Sequence, residues 1–134
     1  MKIDYGCELR RVGDARGELI PIEAMRDVPF PIERVYFLRN LSADRPRGFH
    51  AHKVLRQAAF CIAGTCNIIL DDGVNRTQHK LVEPSKGLLI EPLIWHEMNS
   101  FSKDCILMVI ASDYYDESDY IRDYNDFLRI RAIP

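Results

Sequence analysis

The stretch Pro46-Arg47-Gly48-Phe49-His50-Ala51-His52-Lys53 decides how this chain is read. It starts at a turn signal and is too short for a helix before the next polar break. On a strand, alternate side chains share a face, so His50 and His52 point one way and Phe49, Ala51 and Lys53 the other. Neutral imidazoles on a buried face still need hydrogen-bond partners, so two of them side by side read as a site rather than as filler. Residues two apart on a strand lie roughly 6.5–7 Å apart at the backbone, close enough for the two rings to converge on adjacent atoms of one ligand. An imidazole titrates near pH 6.5 and can give or take a proton at neutral pH.

Working outward, the same punctuation recurs. Gly6, Gly13, Gly17, Pro21, Pro29, Pro31, Gly48, Gly64, Asp71-Asp72-Gly73, Pro84, Gly87 and Pro92 interrupt short apolar or alternating runs. The runs are Arg34 to Leu38, Phe49 to Val54, Ala58 to Ile62, Cys66 to Leu70, Gly87 to Ile90 and Cys105 to Ala111. Many short strands at this spacing predict an all-β sandwich or barrel. Ala63-Gly64-Thr65 and Leu70-Asp71-Asp72-Gly73-Val74 read as two hairpin turns. A short C-terminal helix is expected over Tyr120 to Leu128. Ser118-Asp119 would cap it, and Tyr120, Ile121, Tyr124, Phe127 and Leu128 would form its buried face, packed on the barrel or on a partner.

Composition sets the outer bounds. The chain has 134 residues, the length of one domain, enough to bury roughly 65–70% of its unfolded surface without disulfides or metals. Eighteen basic against twenty acidic side chains give a net charge of -2, which argues against a nucleic-acid binder. The N-terminal residues lack the apolar core of a signal peptide. The longest apolar run, Cys105 to Ala111, falls far short of the ~20 residues of a membrane helix. A cytoplasmic location with reduced thiols follows as the expectation, and Cys7, Cys61, Cys66 and Cys105 are expected in the core. His79, in a polar stretch after a turn, reads as a surface histidine.

From His52, four residues intervene before Gln57 and six more before Gly64; later come Gly87, Pro92, Trp95-His96 and Asn99. These segments resemble the two signature segments of the cupins, small jelly-roll barrels. The metal-binding form supplies two histidines and a glutamate from the first segment and a third histidine from the second. Here Gln57 replaces the glutamate, and a neutral amide is a weaker ligand for a divalent cation. Three histidines alone can still hold a catalytic zinc.

A narrower resemblance rests on longer runs. Arg47-Gly48-Phe49-His50-Ala51-His52-Lys53, Ile69-Leu70-Asp71-Asp72-Gly73, Trp95-His96-Glu97-Met98 and Ala111-Ser112-Asp113-Tyr114-Tyr115-Asp116-Glu117-Ser118-Asp119-Tyr120-Ile121-Arg122 are similar to those of the sugar-nucleotide 3,4-ketoisomerases. The similarity runs from about Asp14-Ala15-Arg16-Gly17 to the tail. It implies a single cupin domain over residues 1–134, working as a homodimer with N-terminal strand exchange. It further implies no metal or organic cofactor, and a dTDP-linked 4-keto-6-deoxyhexose as substrate, in deoxyamino-sugar biosynthesis for cell-surface glycans. His50 and His52 would be the acid–base pair, with His52 as main base. Arg16, Tyr36, Arg47, Trp95 and His96 would line the sugar or nucleotide site. The expected reaction moves the keto group from C4 to C3 through an enediolate, and dTDP-3-keto-6-deoxygalactose is the favoured product. Two alternatives stand beside it: a metal-dependent cupin oxygenase or epimerase-like enzyme, and a non-catalytic sugar-nucleotide-binding cupin.

Overall fold

The computed structural model describes residues 3–133. Its elements are β1 (Gly6–Glu8), β2 (Val12–Asp14), β3 (Gly17–Leu19), β4 (Arg34–Leu38), β5 (Arg47–His52), β6 (Gln57–Ala63), β7 (Cys66–Asp71), β8 (Arg76–Leu81), β9 (Lys86–Ile90), β10 (Trp95–Asn99), β11 (Ile106–Ala111), β12 (Tyr120–Ile121) and the helix α1 (Tyr124–Arg131). Two five-stranded antiparallel sheets, ordered β1-β9-β6-β11-β4 and β12-β5-β10-β7-β8, make up the barrel, and β2-β3 is a separate hairpin. The all-β architecture with one short C-terminal helix is as the sequence predicts.

Alternation along the strands sets the layers. Ala59, Cys61, Ile68, Leu70, Leu88, Ile90, Met98, Leu107 and Val109 meet between the sheets. On the outer face of the first sheet, Ala58, Phe60 and Ile110 are covered by Val28 and Phe30 of the segment before β4. On the outer face of the second sheet, Ala51, Trp95 and Ile121 are covered by Phe127 of α1. All four cysteines are buried free thiols. Cys61 and Cys105 bring their sulfurs to 3.6 Å within the central core.

Of three local expectations, one holds and two are corrected. Asp71-Asp72-Gly73-Val74 does join a hairpin, since β7 pairs with β8 in register from Cys66↔Leu81 to Asp71↔Arg76. Ala63-Gly64-Thr65 does not. β6 pairs with β9 and β11 in one sheet, whereas β7 pairs with β10 and β8 in the other. That turn is a crossover between layers, and Gly64 takes φ +69° there, where a Cβ would lie 2.2 Å from Ser102 Oγ. Lastly, His79 is half-buried, its ring edge-on to Tyr5 at 5.7 Å with Thr77 Oγ1 at 2.8 Å from Nε2.

The helix begins later than its apolar spacing predicts. Tyr120 and Ile121 pair with His52 and Ala51 of β5, so they are extended. Asp123, not Ser118-Asp119, caps α1, its side chain accepting from the Asp126 amide. Strand pairing across 68 positions outcompetes a local helical start at Tyr120, and this frees Asp119 for another task.

Candidate active site

β5 and β10 carry the site. They pair with His50 opposite His96, and the register shifts between His96 and Glu97. Gly48 and Phe49 on β5 both have positive φ, +93° and +60°. This irregularity re-aims the strand just before His50, as bulges next to sites do. Only glycine fits at 48, because a Cβ would stand 2.9 Å from the His96 carbonyl oxygen.

His50, His52 and His96 converge inside the barrel mouth, their ligand nitrogens all within 4.8 Å of one another. Ring centroids lie 5.0 Å apart for His50–His52 and 4.4 Å for His50–His96. The Tyr120 ring packs against both members of the β5 pair, at 4.8 Å from His50 and 4.4 Å from His52. His52 Nδ1 lies 3.2 Å from Asp119 Oδ2. The same carboxylate accepts from the Val54 and Leu55 amides at 2.8 and 3.1 Å. A carboxylate only accepts, so the proton of His52 is assigned to Nδ1. Its Nε2 is then a lone pair, and it is buried without a hydrogen-bond partner, as is His50 Nδ1. His96 Nδ1 reaches the Ile94 carbonyl at 3.4 Å.

Burial holds all three imidazoles neutral. It pushes the titration of His50 below its ordinary value and that of His96 well below. For His52, burial and then the neighbouring His50 bring it down to about 4, against the opposing pull of Asp119. At neutral pH the cluster is three uncharged bases.

Two cavities open onto this cluster. One of about 310 Å³ is lined by Tyr36, Arg47, His50, Gln57, His96 and Tyr115, among others. The second, about 210 Å³, is lined by His52, Leu55, Ser112, Asp116 and Asp119, among others. Arg34 and Tyr120 line both. In the larger cavity Gln57 Nε2 donates to Tyr36 Oη at 2.8 Å. Burial raises the Tyr36 phenol's titration, so it stays protonated and able to donate.

The structure thus brings Tyr36, Arg47 and His96 together with His50 and His52, and leaves two expected residues elsewhere. Trp95 faces away from the barrel interior. Its indole packs on Tyr124 at 5.2 Å and Phe127 at 5.7 Å, and its Nε1 donates to Glu97. It neighbours His96 on a strand, and adjacent strand residues point to opposite faces. Arg16 sits at the tip of the exposed β2-β3 hairpin and pairs with Asp14 at 2.5 Å, outside both cavities. Three residues at the site were not anticipated: Asp119, Tyr120 and Arg34. Arg34 alternates with Tyr36 and Leu38 on β4, a pattern that places it on the inward face.

The three histidines also offer a set of nitrogen donors that could hold a divalent cation. The orphaned Nδ1 of His50 and Nε2 of His52 suit such a role, whereas Gln57 brings an amide already engaged with Tyr36.

Comparison with known proteins agrees with this geometry. The family described as FdtA (WxcM-like, C-terminal) matches residues 5–132. The TDP-4-oxo-6-deoxy-alpha-D-glucose-3,4-oxoisomerase of Aneurinibacillus thermoaerophilus is 49% identical over 123 residues, covering 92% of this chain and 88% of that protein. A crystal structure of a 3,4-ketoisomerase from Helicobacter canadensis superposes with a TM-score of 0.93 at 42% identity, over 97% of this chain and 98% of that one. A variant of the 3,4-ketoisomerase QdtA from Thermoanaerobacterium thermosaccharolyticum, solved in complex with TDP-4-keto-6-deoxyglucose, gives a TM-score of 0.91 at 40% identity, over 94% and 91% of the two chains.

Proposed function

The chain belongs to the FdtA (WxcM-like, C-terminal) family and is a sugar-nucleotide 3,4-ketoisomerase, and from that premise we propose that it converts dTDP-4-keto-6-deoxyglucose into dTDP-3-keto-6-deoxygalactose by histidine acid–base catalysis. The observation that supports this reading best is the state of His52. Its Nδ1–H is tied to Asp119, its Nε2 is unpartnered, and burial keeps it neutral. That is the state a general base needs before it takes a proton.

The C4 ketone makes the C3 proton acidic. His52 removes that proton, and an enediolate forms. His50, facing both His52 and His96, moves the proton between the two oxygens and returns one to C4. Nothing is oxidised overall. His50 and His52 stand on one face of β5, so both work from one side of the ring, and a proton delivered to C4 on the face from which C3 lost its own gives the galacto configuration. Arg47, exposed at the rim of the larger cavity, takes the diphosphate, since the guanidinium fork matches phosphate oxygens.

The whole chain acts as one cupin domain and as a cytoplasmic homodimer. Among the described residues no helix is long and apolar enough to cross a membrane. Val35 and Phe37 on the outer face of edge strand β4 are 56% and 62% exposed, and Val12 and Leu19 of the β2-β3 hairpin are 61% exposed each. A second copy exchanging that hairpin would cover apolar surface of this kind and would carry Arg16 toward a site in the other subunit.

The test is incubation with dTDP-4-keto-6-deoxyglucose in deuterium oxide, followed by NMR of the product. Deuterium at C4 and a 3-keto galacto sugar are expected; no exchange above a protein-free control would leave only a binding role. The convergence of three histidine nitrogens favours one second reading, a metal-dependent cupin enzyme. Stoichiometric metal in protein purified without chelator, with activity lost on its removal, would select it.

A further inference from the structure

Among the described residues, Arg34 is the one arginine with a buried side-chain nitrogen that has no hydrogen-bond partner. Other arginines that bear on the core are paired: Arg56 with Glu91, Arg76 with Asp71 and Glu97, Arg122 with Glu117. Arg34 is half-buried on β4, its Nε is buried without a hydrogen-bond partner, and no carboxylate of the described residues lies within 4.0 Å of it. Tyr36 and Tyr115 pack their rings against the guanidinium at 5.2 and 5.9 Å. Cation–π contact of this kind holds the group but satisfies none of its N–H donors. A half-buried cation with idle donors is costly, and the structure keeps it where the two cavities meet, with Tyr120 as the other shared wall. Its charge adds, after burial and His50, to the lowering of His52 and works against the burial-driven rise of Tyr36.

We propose that Arg34 is the electrophilic catalytic residue of the isomerisation, its guanidinium donating to the sugar oxygen that becomes anionic in the enediolate. This rests on the isomerase reading above. When the C3–H bond breaks, the proton goes to His52 Nε2 and the C–H electron pair becomes the C3–C4 double bond. The carbonyl π pair of C4 moves onto its oxygen. Arg34 keeps its own protons and donates hydrogen bonds to that oxygen, and Tyr36 Oη, already accepting from Gln57, adds a second donor. On the return, the C3 hydroxyl proton passes by way of His50 to the C4 oxygen, the C3 carbonyl forms, and C4 takes a proton from the imidazole pair, so atoms and electrons balance without a co-reactant. Donors fixed in advance where charge develops are usually the largest single contribution to such a step. An anion at the diphosphate position fits Arg34 less well, because Arg34 stands by the imidazoles whereas Arg47 occupies the exposed rim.

The experiment compares wild type, R34Q and R34K, measuring kcat, KM, C3-proton exchange in deuterium oxide, and calorimetric affinity for dTDP. The expected result is a kcat about 10²–10³-fold lower in R34Q, with exchange slowed in parallel, partial recovery in R34K, and dTDP affinity within about threefold of wild type. Loss of dTDP affinity with kcat retained would make Arg34 a diphosphate clamp and overturn the proposal. Wild-type exchange rates in R34Q and R34K would overturn it too. If R34Q melts early, R34K, which keeps the cation and the stem, carries the comparison alone. Absence of exchange in the wild type would instead overturn the isomerase reading and this proposal with it, so the two failures are distinguishable.

Discussion

Asp119 fixes His52: the carboxylate sits 3.2 Å from Nδ1, and both of its oxygens are anchored by the backbone amides of Val54 and Leu55. The pair therefore sets a tautomer as well as a position, leaving Nε2 as the basic atom. Asp119→Asn keeps the shape but replaces an obligate acceptor with a group that can donate, which frees His52 to take the other tautomer. We expect kcat to fall about 10²-fold or more, within the usual contribution of a general base. His52→Asn should cost at least as much. In both variants dTDP affinity should stay near wild type, as measured by calorimetry. A His52→Asn enzyme with a near-normal rate would remove His52 from the mechanism.

Stability should follow the same imidazoles. All three titrate lower in the folded protein than the ordinary value near 6.5. On acidification the unfolded chain therefore takes up protons first, and stability is lost as pH falls below about 6.5. For His52 the loss continues down to about 4, where the folded state also protonates. At about 1.4 kcal/mol per pH unit, the shift at His52 alone is on the order of 3 kcal/mol. The melting temperature should be flat from pH 8 to 7 and several degrees lower at pH 5. His52→Gln should flatten part of that slope. Equal melting temperatures at pH 7.5 and 5.0 in the wild type would show that the cluster is not held neutral.

Gly48→Ala tests the backbone rather than the imidazoles. Position 48 combines φ +93° with a Cβ that would press on the His96 carbonyl at 2.9 Å. Strain of this kind is worth about 1–3 kcal/mol, and it is relieved only if β5 draws away from β10 at the point where His50 faces His96. Activity should fall more than the folded fraction, with a melting temperature lower by several degrees and a kcat reduced at least tenfold. A variant that loses stability but not kcat would show that the bulge serves folding alone.

The unequal legibility of this site has physical reasons. The His50–His52 pair is legible because strand alternation is local, whereas Tyr36, Arg47 and His96 are legible only through the resemblance of their segments to the 3,4-ketoisomerases. Asp119 and Tyr120 were hidden because the apolar spacing from Tyr120 to Leu128 satisfies a helix. Only the pairing of Tyr120 with His52 makes that stretch extended, and a contact between positions so far apart leaves no local trace. The crossover at Gly64 was misread for a similar reason: the residues that reverse a chain are the same whether the next strand joins its own sheet or the opposite one. Trp95, by contrast, could have been excluded. A residue next to His96 on a strand cannot share its face.

Trp95 therefore supplies the sharpest separation of core from site. Its ring is 3% exposed and lies between β10 and α1, against Tyr124 and Phe127, with Nε1 donating to Glu97 at 2.9 Å. Trp95→Phe retains most of the apolar contact and loses that hydrogen bond, a cost of about 1 kcal/mol. Trp95→Ala empties the space beneath α1 and should cost about 3–5 kcal/mol. Because the ring points away from both cavities, the Phe variant should keep kcat, KM and dTDP affinity within about twofold while its melting temperature drops by a few degrees. Weaker dTDP binding at unchanged stability would return Trp95 to the ligand site and contradict the placement of its side chain under the helix.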